Sequence, residues 1–277
     1  MKQICDLHTH SVFSDGTYTP KEIIDDAIKL GLSAVALCDH NTIDGLAEFI
    51  SAAKGNDIRA IPGSEFTVDY EGKELHLVAL NIPEHQFEKV SCLMKSVNER
   101  KKQSNIDLIA ALNQAGFDID FETIKQTTPT GNFNRAHIAE ELTKKGYTQS
   151  IKEAFDTLLK PEHGYYKEPE RLSVFEMISF VKEIGAIPVI AHPFLNLNFE
   201  ELDVFLPIAK KHGLAGMECF YSTYDEETTQ KAIQLADKYG LIYSGGSDFH
   251  GDKKPNIKLG IGLGNLKVPY MWTVEFE

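Results

Sequence analysis

The chain contains 277 residues, 42% hydrophobic and 25% charged, as expected for one large globular domain or one domain with an insertion. Its formal net charge of −13 argues against a basic groove for duplex nucleic acid, although bound divalent cations can still attract nucleotides. The lack of a long apolar run, a signal-peptide pattern or paired cysteine spacings predicts a cytoplasmic protein that does not enter a membrane.

Short apolar runs alternate with helical patterns in the N-terminal part of the chain. Thr19-Pro20-Lys21-Glu22 has the pattern of a capping box with proline at the first helical position, and it predicts a helix that ends near Gly31. The continuous apolar run at residues 34–38 is typical of a buried parallel strand. Further strands are predicted at residues 4–7, 58–61 and 75–80, with a short helix at 45–54.

The same alternation returns in the last third of the chain. Helices are predicted at residues 174–184, 200–212 and 225–239, and strands at 187–191, 216–220 and 241–245. Repeated strand–helix units of this kind indicate a parallel α/β fold, either closed as a barrel or open.

Between these two parts the alternation stops. From about residue 84 to residue 172 the pattern is helical, and a polar loop at residues 131–134 precedes a helix predicted to start near Arg135. We therefore predict a barrel domain formed by residues 1–84 and 172–277, and a mostly helical insertion at 85–171 that lies over the active site.

His8-Thr9-His10 follows the first predicted strand. In extended backbone, side chains two residues apart point the same way, so both imidazoles can reach one ion, although two surface histidines give the same pattern. Each later strand end also delivers a potential ligand, and in parallel barrels the active site lies at this carboxyl-terminal rim. These further candidates are Asp15, His40, Glu65, His76, His192, Asp248 and His250.

The types of ligand narrow the metal and the reaction. Imidazoles and carboxylates without thiolates suit Zn, Mn or Fe rather than a structural zinc finger. The set exceeds what one ion needs, and two or three divalent ions that share a carboxylate would account for it. Clustered ions suit phosphoryl chemistry, because they generate hydroxide near neutral pH and neutralise the charge that develops on phosphate. The residues therefore predict a metal-dependent hydrolase of phosphate esters.

Seven short motifs follow one another along nearly the whole chain. They are Asp6-Leu7-His8-Thr9-His10-Ser11, Ser14-Asp15-Gly16, Cys38-Asp39-His40-Asn41, Gly63-Ser64-Glu65, Glu74-Leu75-His76, Ala191-His192-Pro193 and Gly246-Ser247-Asp248-Phe249-His250. Each is weak alone, but the ordered set resembles the polymerase and histidinol phosphatase (PHP) family. The resemblance implies a distorted (β/α)7 barrel with a trinuclear metal site.

The resemblance also implies how the ligands divide among three metal ions. The first ion takes His8, His10, Glu65 and Asp248, the second takes Glu65 as a bridge with His76 and His192, and the third takes Asp15, His40 and His250. Many members of the family have histidine where this chain has Asp15, which weakens the third site or retunes its metal.

The predicted insertion resembles that of stand-alone family members that act on nucleotides: nucleoside 3′,5′-bisphosphate phosphatases, AMP phosphatases and 5′–3′ exonucleases. In that branch the arginine of Arg135-Ala136-His137 contacts substrate phosphate, which guanidinium binds through two hydrogen bonds. His137 is the second predicted substrate-binding residue. The implied substrates are nucleotides or short oligonucleotides, cleaved as phosphate monoesters or terminal phosphodiesters, without stable binding of a duplex.

The remaining predicted roles concern proton transfer and support. His192 or His250 is predicted to protonate the leaving group, and Asp248 is the third predicted catalytic residue. Glu218 lies within an apolar strand and is a candidate for a supporting carboxylate near the rim.

Three alternatives remain open at this point. A histidinol-phosphate phosphatase belongs to the same family. An amidohydrolase acting on a C–N bond also carries a His-x-His motif, but such enzymes usually add a lysine ligand, and we find no lysine at a predicted strand end. A non-catalytic metal-binding module would be expected to have lost some of the ligands.

Overall fold

The computed structural model describes residues 4–126, 134–270 and 273. The chain divides into two compact units, which we call the sheet unit (Met1–Ser91 with Arg171–Glu277) and the helical unit (Cys92–Glu170). The loop predicted at residues 131–134 lies outside the described residues except for Asn134.

The elements follow one another along the chain as strands and helices. The strands are β1 (Ile4–Thr9), β2 (Ala34–Leu37), β3 (Arg59–Pro62), β4 (Ser64–Tyr70), β5 (Lys73–Leu80), β6 (Ile187–Ala191), β7 (Gly216–Tyr221), β8 (Ile242–Gly246) and β9 (Val268–Pro269). The α-helices are α1 (Pro20–Lys29), α2 (Leu46–Ala53), α3 (Phe87–Gln114), α4 (Phe121–Gln126), α5 (Arg135–Lys144), α6 (Ile151–Ala154), α7 (Val174–Glu183), α8 (Phe199–His212) and α9 (Glu226–Tyr239).

Helix α1 begins as its sequence predicts. The Thr19 side chain accepts a hydrogen bond from the Glu22 backbone, the Glu22 side chain accepts one from the Thr19 backbone, and Pro20 occupies the first helical position. The helix buries Ile23, Ile24 and Ala27 and leaves Lys29 at its C-terminal end. Its start is thus determined by local hydrogen bonds and its orientation by the apolar face.

The strands of the sheet unit form two sheets and not one. The first has the order β3-β2-β1-β9 and the second the order β4-β5-β6-β7-β8. Strands β1, β2 and β3 are parallel to one another, as are β6, β7 and β8, whereas β9 runs antiparallel to β1. The fold is therefore α/β with mixed sheets.

Backbone hydrogen bonds connect the two sheets at three places, one of which is the bond from Ile82 N, just after β5, to Pro62 O in β3 at 2.9 Å. Near the end of β1, Asp248 N donates to His8 O and His10 N donates to Phe249 O, both at 2.9 Å. Beyond β2, Asn41 N donates to Glu65 O at 2.9 Å. Within residues 4–126, 134–270 and 273 these bridges are short, and a continuous ladder that closes a (β/α)7 barrel is not observed.

The prediction of an all-parallel sheet is wrong at β4 and β5. These strands form an antiparallel hairpin, and β5 also pairs antiparallel with β6. The turn residues Glu71 and Gly72 both have positive φ, 53° and 82°, the backbone that two-residue hairpin turns require. Strand β4 is difficult to detect in the sequence because polar Ser64, Glu65 and Thr67 interrupt its apolar pattern.

A compact apolar core lies among strands of both sheets. Its members are buried residues of β1, β2, β3, β5 and β6, of the C-terminal segment and of the position just after β2: Cys5, Leu7, Ala34, Ala36, Cys38, Ile61, Val78, Leu80, Val189, Ala191, Leu266 and Val268. Close packing of these small and branched side chains holds the strand ends in fixed positions. The site residues described below extend from those ends.

The helical unit has a separate apolar core. It is formed by residues of α3, α4, α5, α6 and the segment that follows, including Leu108, Leu112, Ile138, Leu142 and Leu159. No β-strand occurs in the part of this unit that the structure describes, residues 92–126 and 134–170. Helices long and apolar enough to span a bilayer are likewise not found in the described part of the chain.

Candidate metal centre

One buried carboxylate, Glu65 in β4, lies at the centre of a group of histidines in the sheet unit. Glu65 Oε2 lies 3.2 Å from His8 Nε2, 3.4 Å from His10 Nε2 and 3.0 Å from His40 Nδ1. Glu65 Oε1 lies 2.8 Å from His76 Nδ1 and 3.0 Å from His192 Nε2. A single carboxylate therefore contacts five imidazoles that come from distant parts of the chain.

Two further carboxylates border this group. Asp248 Oδ1 lies 3.2 Å from His10 Nε2 and 4.0 Å from His8 Nε2. Asp15 Oδ1 lies 3.2 Å from His250 Nε2 and 3.8 Å from His40 Nε2. All nine residues predicted as metal ligands are thus brought together in one cluster, although which of them share an ion stays a prediction.

Several polar atoms inside this cluster are buried without a hydrogen-bond partner among the described residues. They are His8 Nε2, both ring nitrogens of His10, Glu65 Oε2 and His192 Nδ1. Buried polar atoms without a hydrogen-bond partner are unfavourable, so their concentration at one point fits a site that binds a cation. The nitrogen and oxygen donors, without sulfur, fit a divalent metal such as Zn, Mn or Fe.

Potential ligand atoms meet within 4.8 Å of one another in three overlapping groups. The groups are His8, His10 and Glu65; His40, Glu65 and His76; and His10, Asp15, His40 and His250. They share His10, His40 and Glu65, as expected for ions that lie side by side.

Opposing electrostatic effects act on the buried imidazoles. Burial acts to lower the pKa of His8, but Glu218 and Glu65 outweigh it and raise the pKa well above its usual value. Burial also acts to lower the pKa of His76, but Glu65 and Glu74 outweigh it and raise this pKa to about 10. Burial lowers the pKa of His40 to about 4, although Glu65 and Asp15 act the other way. At His8 and His76 the neighbouring carboxylates therefore favour a bound cation, which can be a proton or a metal ion.

The carboxylates are held in their ionised form. Burial acts to raise the pKa of Glu65, but His76, His8 and His40 together hold it well below the usual range. Burial likewise acts to raise the pKa of Asp248, and its neighbours His10 and His8 hold it well below. Both groups are consequently ready to bind a cation.

The backbone is strained at two of the predicted ligands. His192 has φ 27° and Asp248 has φ 57°, a region that non-glycine residues rarely adopt. Gly246, shortly before Asp248, lies so close to His8 that a Cβ atom there would overlap the backbone nitrogen and Cβ of His8. Strain and close approach of this kind persist where the surrounding structure holds a functional geometry.

Two buried aspartates hold the loops that carry the histidines. Asp6 accepts hydrogen bonds from Ser247 N at 2.8 Å and Ser247 Oγ at 2.5 Å. Asp39 accepts bonds from Ser11 N at 2.7 Å and Ser14 Oγ at 2.6 Å. These bonds connect the segments of His8, His250 and His40 to one another across the cluster.

Residues that are not predicted as ligands also contact the predicted ligands. Glu218 accepts from the ring of His8, and Tyr221 and Lys254 each donate to Asp248 Oδ2 at 2.7 Å. Glu218 could be suspected from a carboxylate inside an apolar strand. Tyr221 and Lys254 carry no comparable signal, because aromatic and lysine residues are common near strand ends and loops.

Arg135 and His137 belong to the helical unit. The Arg135 guanidinium lies 4.2 Å from the Tyr166 ring centroid, and one of its nitrogens donates to Leu159 O at 3.3 Å. His137 Nδ1 accepts a hydrogen bond from Asn134 N at 3.1 Å and so completes the N-terminal cap of α5. The substrate-binding role of both residues stays a prediction.

Comparison with known proteins places the chain in a family. The PHP domain matches residues 6–168 of the chain. The chain is 30% identical to a 5′-3′ exoribonuclease of Haemophilus influenzae over 246 residues, 88% of this chain and 89% of that protein. It is 28% identical to a 3′,5′-nucleoside bisphosphate phosphatase of Chromobacterium violaceum over 247 residues, 88% of this chain and 86% of that protein.

A solved structure from Bifidobacterium adolescentis, assigned by inference as a metal-dependent phosphoesterase, resembles the whole chain. The TM-score is 0.80 and the sequence identity 29%, and the match covers 100% of this chain and 96% of that one.

Proposed function

The chain belongs to the PHP domain family, and from this premise we propose that it is a metal-dependent phosphoesterase acting on nucleotides or short oligonucleotides. The observation that carries the proposal is Glu65, a fully buried carboxylate in contact with five imidazoles, several with unpaired ring nitrogens. The relatives named above act on nucleotide bisphosphates or on RNA, which supports the same substrate class here.

Two or three divalent ions, Mn, Zn or Fe, would be held by the nine clustered side chains. His8, His10, Glu65 and Asp248 would hold the first, Glu65, His76 and His192 the second, and Asp15, His40 and His250 the third. Such ions supply a hydroxide nucleophile and neutralise the charge on phosphate. The clustered side chains would orient these ions, and the neighbouring histidines keep the carboxylates of Glu65 and Asp248 ionised.

The protein's own residues also include candidates for the proton that the leaving oxygen must receive. His250 uses Nδ1 to bond Asp248 O at 2.8 Å and Nε2 to contact Asp15 at 3.2 Å. His192 contacts Glu65 through Nε2, while its Nδ1 finds no partner in the described residues. We therefore keep both His192 and His250 as candidates for the leaving-group acid.

The helical unit would supply the substrate contacts. We propose that Arg135 binds a substrate phosphate, with His137 supporting it through the cap of α5. For the sheet unit we propose the distorted (β/α)7 barrel of the family, and the hydrogen bonds that connect the two sheets support this proposal. All four cysteines are free thiols, with Cys5, Cys38 and Cys219 buried and Cys92 exposed, which supports the proposed cytoplasmic location.

A product-release screen on Mn-loaded protein tests this proposal. The substrates are a nucleoside 3′,5′-bisphosphate, AMP, a short 5′-phosphorylated RNA and histidinol phosphate, with release of inorganic phosphate or mononucleotide as the readout. We expect turnover of at least one nucleotide substrate and its loss in His8→Ala. Turnover of histidinol phosphate alone, or equal turnover by His8→Ala after chelation and remetallation, would contradict the proposal.

A further inference from the structure

Strand β7 supplies none of the predicted metal ligands, yet two of its side chains contact three of them. Glu218 contacts His8 and His192, and Tyr221 contacts Asp248. These two residues are three apart, and in a regular strand residues three apart point to opposite faces of the sheet. Something in β7 must therefore change this alternation.

A β-bulge explains how both side chains reach the cluster. In the pairing with β8, Glu218 lies opposite Ser244, Phe220 opposite Gly245 and Tyr221 opposite Gly246, so Cys219 is one extra residue. The extra residue reverses the alternation and turns Glu218 and Tyr221 to the same face. Gly245 makes the bulge possible, since a Cβ atom there would lie 2.5 Å from Phe220 O and 2.7 Å from Phe220 Cβ.

Glu218 uses its two oxygens on two different predicted ligands. Oε1 lies 2.8 Å from His8 Nδ1, and Oε2 accepts a hydrogen bond from the backbone nitrogen of His192 at 2.7 Å. The residue is 1% exposed, so water does not compete for these bonds. With Glu218 Oε1 as the acceptor, Nδ1 of His8 carries the hydrogen, and Nε2 faces Glu65 and would be free to bind a metal.

Tyr221 acts in the same way on the carboxylate at the opposite side of His8. Its hydroxyl donates to Asp248 Oδ2 at 2.7 Å, and Lys254 Nζ donates to the same oxygen at 2.7 Å. With Oδ2 occupied twice, Oδ1 is the oxygen that faces His10 Nε2 at 3.2 Å. Asp248 is thereby oriented to offer one chosen oxygen despite its strained backbone.

We propose that bulged strand β7 orients the metal ligands, with Glu218 and Tyr221 as positioning residues for His8, His192 and Asp248. The inference rests on the proposed function, because it takes these three residues as metal ligands. It goes further because it assigns the orientation of these ligands to a strand that contains none of them. The carboxylate of Glu218 connects the predicted first site, through His8, to the predicted second site, through the His192 backbone.

Glu218→Gln is the sharpest test, because both partners of Glu218 are hydrogen-bond donors. Glutamine offers one oxygen and one NH2 group. Its oxygen can therefore accept from His8 or from His192, and its NH2 group then faces the other donor without a hydrogen bond. We expect Mn²⁺ binding, measured by competition with a chelator, to weaken by about 10–100-fold. Long-range nitrogen–proton NMR of the Zn²⁺-loaded protein should show a changed protonation pattern in the His8 ring, which mere loss of stability would not produce.

Tyr221→Phe tests the second contact with a smaller change and keeps the proposal falsifiable if Glu218→Gln does not fold. We expect Mn²⁺ affinity to fall about tenfold while the metal-free protein remains folded. Tyr239→Phe is the matched control, since it also removes a hydroxyl that hydrogen-bonds to a carboxylate, that of Asp203 at 2.7 Å, between α9 and α8. Its metal affinity should equal that of the unchanged protein.

The outcomes separate this inference from the proposed function. If the folded variants Glu218→Gln and Tyr221→Phe, or Tyr221→Phe alone where the first does not fold, bind Mn²⁺ as tightly as Tyr239→Phe, β7 does not orient the ligands. In that case the unchanged protein still binds Mn²⁺ and hydrolyses nucleotides. If instead the unchanged protein neither binds Mn²⁺ nor releases product, the proposed function itself is wrong.

Discussion

The two sides of the histidine cluster differ in burial and in the number of contacts that each carboxylate makes. On the Glu65 side, the carboxylate is 0% exposed and meets His8, His10, His40, His76 and His192. On the Asp15 side, the carboxylate is 27% exposed and meets His250 and His40 at 3.2 and 3.8 Å. Glu65 lies within strand β4, whereas Asp15 lies in the loop that precedes α1.

This difference indicates that the two sides bind metal with unequal strength. In a buried, low-dielectric site, charge–charge attraction is strong and an unpaired charge is unfavourable, so the Glu65 side requires a cation. Near the surface, solvent screens the same charges and water can replace a missing ligand. We therefore expect tightly held ions around Glu65 and a more readily exchanged ion at Asp15.

The largest expected effect is that of Glu65→Gln. This change keeps the shape but removes the charge that contacts five imidazoles, so two of the proposed sites lose a ligand. We expect activity to fall by about a thousand-fold, equivalent to several kcal/mol of lost transition-state stabilisation. Bound metal, measured by elemental analysis after gel filtration, should fall in parallel.

Glu71→Gln is the control for this change, because Glu71 lies in the exposed β4–β5 turn. It should retain full metal content and activity. Retention of all bound metal by Glu65→Gln would remove the distinction between the two sides of the cluster.

The second effect is the pH dependence of metal binding on the Glu65 side. The pKa of His76 is raised to about 10 and that of His8 is also raised, so both rings are protonated at neutral pH without metal. A metal ion must displace these protons, so its apparent affinity should rise with pH. Between about pH 6 and pH 8 we expect roughly a tenfold gain per pH unit for each displaced proton.

Chelator competition at several pH values measures this slope directly. Asp15→Ala should retain most of it, because His8 and His76 contact Glu65 rather than Asp15. A flat profile, or a slope abolished by Asp15→Ala, would show that proton displacement does not distinguish the two sides.

The smallest effect is expected for Asp15→Ala. We expect the loss of about one bound ion and roughly a tenfold fall in activity, because the exposed site contributes less charge stabilisation to the reaction. Asp15→His should restore the metal content, since imidazole is also a good ligand for Zn, Mn or Fe. The number of bound metal ions, measured for both variants side by side, tests these expectations. A loss of metal and activity in Asp15→Ala as severe as that in Glu65→Gln would contradict them.

Much of the sheet unit follows from local patterns in the sequence. The capping box of α1, the apolar run of β2 and the alternation from α7 to β8 appear in the structure within a few residues of their predicted bounds. These features depend on neighbouring residues alone, through side-chain hydrogen bonds and the period of apolar positions. The ligands could be recognised for a related reason, because histidine and carboxylate types recur at predicted strand ends.

The β4–β5 hairpin and the support of the ligands could not be predicted in the same way. The polar face of β4 conceals a strand, and its antiparallel pairing depends on the turn at Glu71 and Gly72. Asp248 is contacted by both Tyr221 and Lys254. These contacts join elements whose pairing cannot be read from the local pattern of apolar and polar residues.

By itself, the sequence determined the residue types of a metal-dependent phosphoesterase and the order in which the ligands occur. The tertiary structure alone decided that Glu65 lies at the centre of five imidazoles, that the Asp15 side is more open, and that a bulge in β7 turns Glu218 towards His8, 210 positions away in the chain. Residue types and periodicity are local properties of a chain. Strand pairing, in contrast, involves segments that are distant in the sequence. It determines the register, the burial of side chains and the direction of a side chain at a bulge.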